Sequence, residues 1–425
     1  MDGVLFQKLD LVNRNLLDSM SEGGTDRTVF SFGTAGFRYC NDLIDYLAFR
    51  SVIFMSWLSN RIGDGFLGVM VTASHNQLID NGLKIIYPDG LLMDRSDETV
   101  IETFVNMFDL KESMEYLMGV KSTTFTFGQF NLCVGYDNRP SSTRISDMIQ
   151  STAESLGASV FNIGLTTTPF CYFVVERLNR NSQLNGKIGE LNDLYSEMIF
   201  GRYLELTNEL RNLNNRYEGE DEKLIIDCSH GTGSIILNEW VSRSDCRGEF
   251  EIVNGNDPDL LNVDCGAEYT HKYRRTNLSL GDRDIGVSLD GDSDRLVYFK
   301  MSDGQLEIAD GDKISALFVQ AISKLIRLIG IDVAQKAVVM TNYSNSNLGV
   351  LARELGFKVE TVGVGVKYLI EKSLSYDISV SFESNGHGIY RVSDSLRSEL
   401  TNKQPEMTTE QKLYCDILLF QSNVT

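Results

Sequence analysis

The sequence predicts an α/β protein built from three similar units in tandem. An apolar strand, a polar or glycine-containing loop, an amphipathic helix and a second strand recur about every hundred residues. The chain's 425 residues and 42% hydrophobic content suit roughly two to four domains of ordinary size better than one. Gly157 and Gly356 each end a helical run just before a strand, where left-handed C-terminal caps belong.

The first unit runs from Leu132 to Ile163 (LCVGYDNRPSSTRISDMIQSTAESLGASVFNI), the second from Leu224 to Val253, and the third from Ala337 to Val362 (AVVMTNYSNSNLGVLARELGFKVETV). One large doubly wound sheet is the alternative arrangement of the same elements. The Asn- and Glu-rich stretch near residues 178–222 reads as helical or loose and polar, which places a domain boundary just before it. The predicted domains are residues 1–175, 176–304 and 305–395. Residues 396–425 are read as a linker with a short apolar helix, LYCDILLF. The tail beyond Gly388, with its polar run SDSLRSELTNKQPEMTTEQ, is too short for another domain.

A formal net charge of -20 repels phosphate backbones, so nucleic acid and anionic membrane are not expected partners. An anionic small substrate therefore requires a local cationic pocket. The seven cysteines, Cys40, Cys133, Cys171, Cys228, Cys246, Cys265 and Cys415, form no CxxC pair and lie near no histidine at zinc-site spacing. They read as reduced, mostly buried thiols. The N-terminal MDGVLFQKLDLVNRN has no basic start followed by an apolar run, and no apolar stretch reaches membrane-spanning length. A cytosolic protein is expected.

Three stretches carry chemistry. In GVMVTASHNQLIDNGLKII, an apolar strand delivers Thr72, Ser74, His75 and Asn76 into a loop, at the kind of strand end where α/β proteins place their sites. Ser74 reads either as an activated nucleophile or as a hydroxyl capping a turn. Lys84, and Arg38 in SFGTAGFR, are cations that either face phosphate or are solvated surface charges. In IGVSLDGDSDRLVYF, a strand ending at Leu289 runs into Asp290, Asp292 and Asp294, alternate residues of one loop. Carboxylates at that density repel one another unless a cation neutralises them, and an all-oxygen donor set suits Mg²⁺. An EF-hand would need Gly in place of Arg295 and Glu in place of Met301. An aspartyl-phosphate phosphatase with Asp290 as nucleophile is the nearer alternative, but Asp294 and Arg295 suit a metal loop better. In VSFESNGHGIY, Glu383 and Asn385 suit paired sugar hydroxyls, and His387 suits proton transfer. GVGVK, ending at Lys367, lacks the form of a P-loop and reads as a turn.

Taken in order, FGTAGFR, TASHN with NGLK, DNRPSS, GLTTTP, DCSHGTG, CGAEY, DGDSDR, GVK and FESNGHG resemble the α-D-phosphohexomutase pattern. Within it they are most similar to phosphoacetylglucosamine mutases, whose hallmarks are TASHN rather than TGSHN and a sugar loop of the form FEANGHG. The resemblance spans about residues 30–390. It implies three mixed α/β domains around a central cleft, with a smaller fourth α+β domain that this chain is expected to lack.

The resemblance makes Ser74 the phosphoserine, with His75 beside it, and gives Mg²⁺ the ligands Asp290, Asp292, Asp294 and an oxygen of phosphorylated Ser74. Arg38, Lys84 and Arg295 would surround the transferred phosphoryl group. Lys367, Glu383, Asn385, Gly386 and His387 would bind the phosphosugar, with His387 and Lys84 as acid/base candidates. The implied reaction interconverts N-acetylglucosamine 6-phosphate and 1-phosphate on the way to UDP-N-acetylglucosamine. Glucose 1,6-bisphosphate or N-acetylglucosamine 1,6-bisphosphate would serve as activator or intermediate.

The chain departs from the family at Gln77 (usually proline), Ser384 (alanine), and Val364 and Tyr368 (threonine and histidine). No match to the family's RPSGTED phosphate loop is read after Gly388, and RVSDSLR is read as linker. Turnover well below that of a full-length relative is therefore expected. A non-catalytic sugar-phosphate binder and a mutase of glucose or mannose phosphates are the alternatives.

Overall fold

The repeated strands form three sheets among the described residues, which are 3–22, 28–63, 65–120, 128–213, 223–243 and 250–420 of a computed structural model. Cys246 lies outside them. The first sheet contains β1 (Phe37–Cys40), β2 (Phe66–Val71), β3 (Asp80–Ile86), β4 (Asn131–Tyr136) and β5 (Ser159–Leu165), in the order β1-β3-β2-β4-β5. The second contains β6 (Leu224–Asp227), β7 (Phe250–Val253), β8 (Ile285–Leu289), β9 (Leu296–Ser302) and β10 (Gln305–Ala309), ordered β10-β9-β8-β6-β7. The third contains β11 (Lys336–Thr341), β12 (Lys358–Val362), β13 (Ile378–Phe382) and β14 (Gly388–Val392), ordered β12-β11-β13-β14. Separate sheets replace the single doubly wound alternative.

Each predicted βαβ unit is present as a parallel pair, β4 with β5, β6 with β7, and β11 with β12. Two of the crossover helices end as the glycines require. Gly157 (φ 92°) donates to the Glu154 carbonyl while Ala158 donates to that of Ala153, and Gly356 (φ 76°) and Phe357 repeat the pattern onto Arg353 and Ala352. This double bond satisfies carbonyls left over at a helix end, at a backbone angle glycine adopts without strain.

The chain divides into two compact units, Met1–Leu191 with Asn256–Leu261, and Asn192–Gly255 with Asn262–Thr425. The first holds the first sheet. Its strand β2 is buried along its whole length, and the helix Asn41–Ile62, apolar nearly all round, is buried from Leu43 to Ser59 except at Asp45. The second unit holds the other two sheets, with a core under the helix Gly311–Ile329 that includes Ile322, Val338, Val380 and Val392.

Two readings are refined. Within residues 178–222, Ile188–Ser196 and Arg202–Leu213 are helices joined by a π-helical turn, and residues 214–222 lie outside the described set. The reading of RVSDSLR as linker is corrected. Arg391 and Val392 belong to β14, and Ser393 caps the helix Asp394–Lys403 by accepting the Leu396 N–H. Leu396 and Leu400, one turn apart, are buried in the same core as Cys415 and Leu418 of the final helix, Thr409–Leu419.

The six described cysteines are free thiols, all buried except the half-buried Cys40. Burial, aided by Asp227 and Asp264, raises the Cys265 thiol to about 12. Among the described residues, no helix is long and apolar enough to cross a membrane.

Candidate functional site

In the first unit the chemistry sits where β2 ends. Met70 pairs with Lys84, and Arg38 pairs with Gly82, so side-chain alternation puts Arg38 and Lys84 on one face of the sheet. Beyond Val71 the chain turns through Ser74, which is 1% exposed and has a left-handed backbone (φ 54°). An L-residue other than glycine holds that angle only when its surroundings impose it. Here Thr72 Oγ1 accepts the Ser74 N–H (2.9 Å) and donates to Asp137 Oδ2 (2.8 Å). Arg38 donates to Asn76 Oδ1 at 3.1 Å, which ties the cation to the Ser74 loop. Lys84, 2% exposed, donates to Thr168 Oγ1 at 3.3 Å, and His75 is half-buried beside Ser74.

The second unit contains the carboxylate loop. Asp290, Asp292 and Asp294 each offer an oxygen within 4.8 Å of the others, and the first two are buried. Asp290 Oδ1 accepts the N–H groups of Asp294 and Arg295, both at 3.1 Å, which fixes the turn. The donor set is hard and anionic, and it converges in a buried place, so it fits a small divalent cation. Burial lowers the Arg295 pKa, but Asp290, Asp294, Glu268 and Glu383 outweigh that effect and raise it, so Arg295 is a permanent cation against the loop.

The loop after β6 supports this turn from behind. Thr232 N–H donates to the Gly291 carbonyl at 3.0 Å, and a Cβ on Gly231 would stand 2.2 Å from that same oxygen. Backbone therefore packs directly on backbone, with Ser229 and His230 both held at positive φ to allow it.

The hairpin loop between β13 and β14 also docks on the carboxylate loop. Leu296 N–H donates to the Gly386 carbonyl, and a Cβ on Gly386 (φ 90°) would lie 1.9 Å from the Leu296 oxygen. The docking brings His387 Nε2 to 4.0 Å from Asp294 Oδ2. Glu383 Oε1 accepts the Gly365 N–H (3.0 Å), and Asn385 Nδ2 donates to Glu383 Oε2 (3.4 Å). Lys367, in the helix that Gly365 opens, places its ammonium 5.3 Å from the Tyr368 ring centroid, a cation–π contact at one of the unusual positions. Ser384, another unusual position, donates to Asp312 Oδ2 at 2.9 Å and so anchors the loop.

Among the residues singled out from sequence, Arg38, Ser74, His75 and Lys84 gather in the first unit, and Asp290, Asp292, Asp294, Arg295, Lys367, Glu383, Asn385, Gly386 and His387 gather in the second. The sequence reading assigned no role to Asp137, Arg139, Thr168, Gly231 or Asp312. DNRPSS, GLTTTP and DCSHGTG were the signals for four of them, and Asp312 had none.

Solved structures define the class. A glucose 1,6-bisphosphate complex of a serine-to-alanine variant of Aspergillus fumigatus N-acetylphosphoglucosamine mutase matches with a TM-score of 0.83 and 25% identity, over 96% of this chain and 76% of that one. The same fungal enzyme with GlcNAc-6P and magnesium matches with a TM-score of 0.82 and 26% identity, over 96% and 76%. An N-acetylglucosamine-phosphate mutase described as an α-D-phosphohexomutase superfamily member, in a substrate complex, matches with a TM-score of 0.81 and 27% identity, over 96% and 77%. The fold and its loops are those of an α-D-phosphohexomutase.

Residues 310–425 match the family profile "Phosphoacetylglucosamine mutase AMG1, domain III", and residues 49–111 and 121–186 match "Phosphoglucomutase/phosphomannomutase, alpha/beta/alpha domain I". Phosphoacetylglucosamine mutases of Arabidopsis thaliana and Saccharomyces cerevisiae are 32% and 31% identical over 397 and 408 residues, covering 89% of this chain and 70% and 72% of theirs. The chain belongs to the phosphoacetylglucosamine mutase family.

Proposed function

We propose that the chain interconverts N-acetylglucosamine 6-phosphate and N-acetylglucosamine 1-phosphate through phosphorylated Ser74 and a bisphosphate intermediate. The observation that carries this reading is the docking of the Glu383–His387 loop on the Asp290–Asp294 loop, which sets groups suited to a sugar beside groups suited to a metal. Asp290, Asp292 and Asp294 would hold Mg²⁺, which offsets charge on a phosphoryl group when bound. Ser74 Oγ carries the phosphoryl group. Arg38, Lys84 and Arg295 supply fixed positive charge to it, preorganised by their hydrogen bonds and ion pairs. Glu383 accepts from sugar hydroxyls, with Asn385 and Lys367 nearby, and His387 and Lys84 move the proton of the attacking hydroxyl.

We propose three domains, divided near Leu191 and between β10 and the helix Gly311–Ile329, with the third extending through the helix Thr409–Leu419. The divisions expected at residues 175 and 304 are set aside, because they would cut the helix Thr168–Arg180 and the β9–β10 pair. The free, buried thiols fit a reducing compartment, and we place the reaction in the cytosol.

The test is phosphopeptide mapping after incubation with Mg²⁺ and glucose 1,6-bisphosphate, followed by turnover of the 6-phosphates of N-acetylglucosamine, glucose and mannose. A single phosphate on Ser74 and a preference for the acetylated sugar are expected. Phosphate elsewhere, or none, would remove Ser74 as the carrier, and preference for an unacetylated sugar would reassign the substrate.

A further inference from the structure

We propose that Arg139 is a positioning residue that sets the reactive conformation of the Ser74 loop. This rests on the reading of Ser74 as phosphoryl carrier. Arg139 lies just past the end of β4, and its side chain and that of Asp137 are both 0% exposed. Every N–H of its guanidinium is used. Nη2 donates to the carbonyls of Ser74 (2.9 Å) and Asn76 (3.0 Å), Nη1 to those of Gln77 (2.6 Å) and Asp80 (2.9 Å), and Nε to Asp137 Oδ2 (3.0 Å).

Four carbonyls of one loop thus converge on one planar cation. Asp137 completes the frame by accepting from Thr72 Oγ1, Ser142 Oγ and the Arg139 backbone N–H. The Ser74 N–H is held by Thr72 and its carbonyl by Arg139, so both peptide groups flanking its positive φ are pinned. The direction of the Cα–Cβ bond from which Oγ projects follows from that. Asp137 neutralises the guanidinium, and its donors are consumed within the protein, so Arg139 acts on the phosphoryl group only through Ser74. Lysine has three donors on a point charge and cannot reproduce the planar fork. Proline at position 77, usual in the family, would keep the carbonyl that Arg139 uses.

The experiment compares the parent enzyme with Arg139→Lys, measuring thermal stability, kcat and KM with Mg²⁺ present, and the single-turnover rate of Ser74 phosphorylation by glucose 1,6-bisphosphate. For the folded Lys variant we expect kcat and the phosphorylation rate to fall about 100-fold with KM nearly unchanged. Unchanged rates per folded molecule would overturn the proposal, as would a KM rise that accounts for the loss, since that marks a phosphate ligand. If Arg139→Lys does not fold, Thr72→Val removes the other tie on Ser74. It should slow phosphorylation about five- to tenfold at unchanged KM, and an unchanged rate overturns the proposal. Failure of the parent itself to label at Ser74 would instead overturn the carrier reading.

Discussion

The Ser74 loop and the Asp290–Asp294 loop both leave the ends of buried strands and both hold a serine at positive φ, Ser74 at 54° and Ser293 at 61°, yet they are secured differently. The first hangs on side chains: one guanidinium gathers its carbonyls and one carboxylate anchors that guanidinium. The second is wedged against two neighbouring backbones, with Gly231 of the loop after β6 and Gly386 of the β13–β14 hairpin at the close contacts. On the proposed reading the first loop carries a phosphoryl group and must keep one backbone geometry, which a side-chain frame with many hydrogen bonds sets. A metal loop must resist the mutual repulsion of its carboxylates, and close-packed backbone resists displacement.

The largest expected effect is on the first loop's chemistry. Ser74→Ala should bring phosphate uptake and turnover to background while leaving Mg²⁺ affinity, read by calorimetry, at the value of the unphosphorylated parent. Loss of metal binding in that variant would break the separation between the loops. Gly386→Ala comes next, because it forces an L-residue to φ 90° against the Leu296 oxygen. A destabilisation of about 2–3 kcal/mol by denaturant unfolding is expected, together with weaker Mg²⁺ binding as the wedge opens. Asp292→Asn should lower Mg²⁺ affinity roughly 10- to 100-fold, about 1.5–3 kcal/mol, with little change in stability. Thr168→Val withdraws the acceptor from Lys84 and should slow phosphorylation of Ser74 several-fold, about 1 kcal/mol, with KM unmoved. Ser384→Ala is the mildest, about 0.5–1.5 kcal/mol in stability, since Asp312 Oδ2 keeps the Asn345 N–H at 3.0 Å.

What was legible in the sequence was local. The strand that stops at Leu289, the alternation of Asp290, Asp292 and Asp294, and the capping glycines at 157 and 356 are short-range patterns, and each is present as expected. The supports were not legible. Arg139 bonds to backbone carbonyls, which every residue carries, so its four acceptors leave no compositional trace. The seat of Gly386 on Leu296 joins distant positions, and Gly386 alone reads as a turn residue. The segment after Val392 misled through its polarity. Its signal was sparse, a capping serine and two leucines a turn apart, and it needed the core under the helix Gly311–Ile329 to make it a helix.

The left-handed backbone at Ser74 also restricts which residue could serve as the proposed carrier. Threonine carries the same hydroxyl, but its branched Cβ crowds the preceding carbonyl at φ 54°, a region β-branched residues almost never occupy. Swapping one hydroxyl amino acid for the other would therefore exchange a reactive geometry for an extended one without deleting a single polar atom. At this position the backbone angle favours serine over threonine although both carry the hydroxyl.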